Sequence, residues 1–139
     1  MKTKILAGLA LCLIARASCA ELVVIVNPKT VENAISTQDA ANIFLGRKTV
    51  LGDGSRVAPV DQAEGSAVRN RFYQRVADKN PGQMKAYWST VIFTGRGTPP
   101  AAANDGAEVR SVVASTPGMI GYIDSAEVDD TVKVVLTLP

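Results

Sequence analysis

Leu22-Val23-Val24-Ile25-Val26 is an unbroken aliphatic run, closed by Asn27-Pro28. Both alternating sets of side chains are apolar, so a strand made from it has no face to offer water. It predicts a strand covered on both sides, within a sheet that lies between helical layers.

The rest of the chain supplies those layers. Ser36 with Asp39 resembles a capping box, Asp standing for the usual Glu, and opens a helix to about Phe44, stopped by Gly46. Ala40, Ile43 and Phe44 form its apolar face. Asp53-Gly54 predicts a hairpin turn between extended pieces at 48–51 and 56–60. A second helix is predicted over 66–77, with Val68, Phe72 and Val76 on one face. Asn80-Pro81 caps and opens a third, to about Ile92. Asn104 or Asp105 caps a fourth, which carries Val109, Val112 and Val113 and is broken by Pro117-Gly118. Strands are predicted at 119–123 and 132–136, and the Gly-, Pro- and Ala-rich stretch 94–104 reads as a loop. The class is α/β: a three-layer domain with a mixed β-sheet.

Residues 1–20 read as a cleavable export signal. Lys2 and Lys4 precede an apolar stretch at 5–14, and Ser18-Cys19-Ala20 supplies small residues for cleavage after Ala20. The stretch is shorter than the roughly 20 apolar residues a membrane helix needs. No membrane span is expected after cleavage, and the periplasm is the expected destination. Other readings are a core helix, which would have nothing to pack on, and a lipoprotein acylated at Cys19. Arg16, three places before that cysteine, stands where an apolar residue is wanted.

Cleavage changes the chemistry available. The whole chain has 15 basic and 13 acidic residues; without Lys2, Lys4 and Arg16, 12 basic face 13 acidic, a net charge of about −1. Global charge therefore makes no case for nucleic acid or an anionic membrane. Cys12 and Cys19 both leave, and the chain has no histidine. This removes disulfides, thiol chemistry, Ser-His and Cys-His nucleophile pairs, and zinc or haem sites that need those ligands. Nothing calls for a cofactor. Residues 21–139 are expected to form a single domain.

One stretch combines a strand end, a glycine loop and a helix start: Val60-Asp61-Gln62-Ala63-Glu64-Gly65-Ser66-Ala67-Val68-Arg69. The first N–H groups of that helix have no intrahelical partner and lie at the positive end of its dipole. Gly65 permits close approach of the backbone, Ser66 can add a hydroxyl donor, and Arg69 can reach back with a forked cation. Gly65, Ser66, Ala67 and Arg69 are thus a candidate oxyanion site. Equally consistent is a plain cap by Ser66 with Arg69 in solvent. Glu64 either takes the helix N–H groups itself or accepts a proton from a protonated oxyanion. Elsewhere, Met84, Trp88 and Val91 share a helical face and read as core. Thr94-Gly95-Arg96-Gly97 resembles an anion loop but lacks the Walker pattern, which leaves Arg96 as ligand or solvated side chain. Asp124, Glu127, Asp129 and Asp130 do not follow an EF-hand order and read as a solvated turn.

These segments resemble the periplasmic phosphate-binding proteins of ABC importers, as one lobe of their two-lobed fold. The likeness rests on Val24-Ile25-Val26-Asn27-Pro28 with Asn42-Ile43-Phe44-Leu45-Gly46, on Glu64-Gly65-Ser66 followed by Phe72, and on Pro117-Gly118-Met119-Ile120-Gly121-Tyr122-Ile123. It implies a binding module for phosphate or a related oxyanion rather than an enzyme. It departs where Ala67-Val68 replace the family's Gly-Thr and where Gln62 replaces the arginine before the loop. A lone lobe also lacks half the donors and the closing hinge. The resemblance therefore implies completion of the cleft by a second copy, an ABC permease or another envelope protein. A module that has kept the fold, lost the ligand and binds a protein partner is the alternative.

Overall fold

The computed structural model describes residues 21–139; the export signal read at residues 1–20 lies outside them. β1 (Leu22–Val26) is buried at every position. It pairs antiparallel with β4 (Met119–Asp124) on one side and β5 (Lys133–Leu138) on the other. β2 (Ala58–Gln62) runs parallel to β4 and to β3 (Ala101–Ala103). The mixed five-stranded sheet has the order β3-β2-β4-β1-β5.

Helices cover both faces. α1 (Thr37–Phe44), α2 (Ala67–Ala77) and α3 (Pro81–Phe93) lie on one side, and α4 (Gly106–Ser115) on the other. The alternation within β1 divides the core. Leu22, Val24 and Val26 pack with Phe44, Phe72, Trp88 and Tyr122, whereas Val23 and Ile25 pack with Val60, Val109, Val113 and Ile123. Fully burying an aliphatic or aromatic side chain contributes about 1.5–3 kcal/mol, so a strand with no exposed face is anchored from both layers. Phe72 stacks on Tyr122 at 3.9 Å between ring centroids, and Phe44 meets Tyr122 edge-on.

The caps explain the helix starts. Ser36, Ser66, Asn80 and Asp105 each accept the N–H three residues on. Asn80 and Gln83 complete a reciprocal capping box. At α1 the box is one-sided, because the Asp39 carboxylate turns to Lys48 Nζ at 2.9 Å. Asn27, directly after β1, donates from Nδ2 to the carbonyls of Val113 and Ala114, tying the strand end to the last turn of α4.

Two expectations change. The hairpin around Asp53-Gly54 shrinks to one bridge, Val50 with Arg56, and its second arm lies further on as β2. Within the loop 94–104, Ala101–Ala103 is an edge strand. Alanine carries little strand propensity, so pairing with the β2 backbone creates β3.

Candidate anion-binding site

The chain leaves β2 for β3 on one side, then returns through α4 to β4 on the other. The gap at the carboxyl ends of β2 and β4 is a topological switch point, where open α/β sheets bind ligands. The loop 63–66 sits there and turns into α2. Gly65 has φ +89°, a conformation that glycine adopts without strain. Glu64, Gly65 and Ala67 are exposed. The N–H groups of Ala67 and Val68 open the first turn of α2, one turn too early for an intrahelical acceptor.

The side-chain donors at this loop have protein partners. Ser66 N–H donates to the Ala63 carbonyl at 3.1 Å. Its hydroxyl accepts from Arg69 N–H and donates to Gln62 Oε1, both at 3.2 Å. Gln62 is buried and spends its amide on the Tyr122 carbonyl at 3.0 Å. Arg69 turns inward, with Nε 3.5 Å from Asp61 Oδ2 and the guanidinium over the Tyr73 ring at 5.2 Å. What the loop offers a ligand is thus mainly backbone N–H and the helix dipole.

Asp61 is the residue that sequence reasoning passed over. It is 4% exposed and accepts from Tyr73 Oη at 2.7 Å, from its neighbour Gln62 N–H at 2.8 Å, and from Tyr122 Oη. Burial, followed by the negative charge of Asp61, pushes both tyrosine hydroxyls far above their usual range, so both stay protonated and donate to Asp61, while Tyr122 Oη also accepts from Gln62 N–H at 3.2 Å. The available signal was an acid closing an otherwise apolar strand, with Arg69 and Tyr73 one turn apart on the next helix.

The other candidates lie elsewhere. Met84 and Trp88 are core residues, and Arg96 is exposed on the loop after α3. Asp124 caps the 3-10 turn Ser125–Glu127 and faces Arg71 at 3.9 Å; Asp129 faces Arg110 at 3.3 Å. Hydrogen bonds from Thr131, then Arg110, hold the Asp129 carboxyl below its usual range.

This sheet order, with a glycine loop feeding a helix at the switch point, defines the architecture of one lobe of a periplasmic-binding-protein-like fold. Solved structures agree. A candidate phosphate ABC transporter substrate-binding protein from Clostridium perfringens, solved with phosphate bound, superimposes with a TM-score of 0.67 at 18% identity, over 84% of this chain and 44% of that one. An ABC-type phosphate transport receptor from Vibrio cholerae gives 0.65 at 16%, over 84% and 45%. PstS from Borrelia burgdorferi gives 0.61 at 13%, over 84% and 46%. The chain therefore spans less than half the length of each. No family model matches it. Among the described residues no helix is long and apolar enough to cross a membrane.

Proposed function

We propose that this chain is a periplasmic binding module for an oxyanion, phosphate first, linked to phosphate ABC import, and not an enzyme. The observation that carries the reading is the exposed first turn of α2, entered through Gly65 at the switch point of the sheet. There the Ala67 and Val68 N–H groups and the helix dipole favour an anion. Glu64 beside them can accept a proton from a protonated oxyanion, which favours phosphate over sulfate. Ser66 contributes its hydroxyl if it releases Gln62. An open half-cleft binds weakly, since hydrogen bonds strengthen when water is excluded. A second copy, an ABC permease or another envelope protein would complete it.

Ala67→Pro tests this directly. Proline suits the first helical position and removes one N–H, and Ser66, at φ −62° and ψ 128°, already has the backbone a following proline requires. Calorimetry of the purified chain is expected to give millimolar phosphate binding, weaker sulfate binding, and loss of both in A67P. The reading fails if phosphate gives no heat at about 10 mM, or if A67P and S66A bind like the wild type.

A partner-binding module without ligand is the second reading. Phe93 is 92% exposed beside Ile92, and Arg69 is committed to Asp61. Under this reading Phe93→Ser abolishes capture of a specific envelope protein while phosphate has no effect on it.

A further inference from the structure

A second concave site lies away from the α2 loop. The end of α1, one side of α3 and the loop after α3 enclose a cavity of about 350 Å³. Leu45, Trp88 and Val91 give it an apolar wall, and Tyr87 is fixed there by donating its hydroxyl to the Leu45 carbonyl at 2.6 Å. Arg47 and Arg96 also line it, and both are exposed. No residue of the loop 63–67 does.

The charge there is unbalanced. Arg47 sits over the Tyr87 ring at 5.4 Å from its centroid, and Lys79 over the same ring at 5.8 Å. Among the described residues, none of Arg47, Lys79 and Arg96 lies within ion-pair distance of a carboxylate, whereas Lys48, Arg69, Arg71 and Arg110 do. Arg47 and Lys79 thus share one ring, and Arg96 lines the same cavity as that ring, with none of the three paired to a carboxylate. Mutual repulsion opposes such a cluster, and an anion relieves it. Trp88, in the same wall, has a buried indole N–H with no acceptor among the described residues.

We propose that this cavity binds a small organic anion, with a ring-sized apolar body and a carboxylate or phosphate group. The body lies against Leu45, Trp88 and Val91. The charged group is held at the rim by the Arg47 and Arg96 guanidiniums, whose planar forks match such oxyanions. The volume is within the range of small-molecule sites and exceeds what a bare tetrahedral oxyanion fills. This site goes beyond the α2 loop and stands or falls separately from it.

Trp88 is the only tryptophan in the chain, so its emission reports occupancy. Phenyl phosphate is the probe, with benzyl alcohol as the body without charge and inorganic phosphate as the charge without body. Phenyl phosphate is expected to change Trp88 emission and to give calorimetric binding. Arg47→Gln and Arg96→Gln should each weaken the binding read by Trp88 emission about tenfold, the loss of a hydrogen bond to a charged group. The site is disproved by any of three results: no Trp88 emission change at about 5 mM phenyl phosphate, an equal emission response to benzyl alcohol or inorganic phosphate, or a wild-type emission response in the R47Q/R96Q double variant.

Discussion

Arg69 Nε lies 3.5 Å from Asp61 Oδ2, so the arginine one turn into α2 is anchored back to the strand that precedes the helix. Both side chains are largely withdrawn from water, at 13% and 5% exposure. Tyr73 and Tyr122 supply further donors to the same carboxylate. The group therefore locks the β2–α2 junction and leaves an incoming anion to the backbone N–H groups of Ala67 and Val68.

Breaking one half of this pair should be costly. A buried charge left without its partner typically costs about 3–5 kcal/mol. The tyrosines partly satisfy Asp61, so Asp61→Asn and Arg69→Met should each lose about 3 kcal/mol in urea unfolding. The double variant should lose clearly less than the sum. Additive losses would mean the two side chains are not coupled.

Alkali should unfold the protein through the same cluster. Tyr73 and Tyr122 titrate far above the ordinary value of 10.0 when folded, because burial and then Asp61 oppose their ionisation. Their stabilising contribution is full below pH 10.0 and falls as the unfolded chain ionises above it. Each tyrosine adds a slope of about −1.4 kcal/mol per pH unit there. Tyr73→Phe should reduce the slope between pH 10 and 12 by about that amount. Chemical unfolding at several pH values measures it, and an unchanged slope would contradict the protonated assignment.

Gly121 is a packing requirement. A Cβ there would lie 2.5 Å from Val109 Cγ1 and 3.2 Å from Val60 Cγ1. Valine is stiff at χ1, so α4 itself must move. Gly121→Ala should cost about 2 kcal/mol, whereas Gly54→Ala, with open space around it, should carry only the backbone cost of its φ of +83°. A melting temperature for G121A no lower than that of G54A would count against this account.

Ser66 closes the first turn of α2 and holds Gln62. Ser66→Ala should cost about 1 kcal/mol and Ser66→Gly only a few tenths, the usual order at a helix cap. Thermal melts of both variants, compared with phosphate titrations, separate the cap from any ligand contact: a purely capping serine changes stability and leaves phosphate binding intact.

Several resemblance motifs have physical reasons that are not about ligand. Asn27 closes the end of α4, Gly121 admits α4 to the sheet, and Tyr122 donates to Asp61. Packing and hydrogen bonding call for such residues whether or not an anion is bound. This is why the motifs identified the lobe more surely than its ligand.

Local chemistry by itself determined the elements and the layers. Five consecutive aliphatic residues require cover on both faces, and Ser36, Ser66, Asn80 and Asp105 act on N–H groups three residues away, so β1 and the four helix starts were legible in the chain. Only tertiary structure made Ala101–Ala103 a strand, because its stabilisation comes from the backbone of β2. Only tertiary structure joined Asp61 to Arg69, Tyr73 and Tyr122, and placed Arg47 and Lys79 over the Tyr87 ring. Caps and periodicity act over one helical turn, whereas the electrostatic partners of a side chain are set by which elements the sheet order brings side by side.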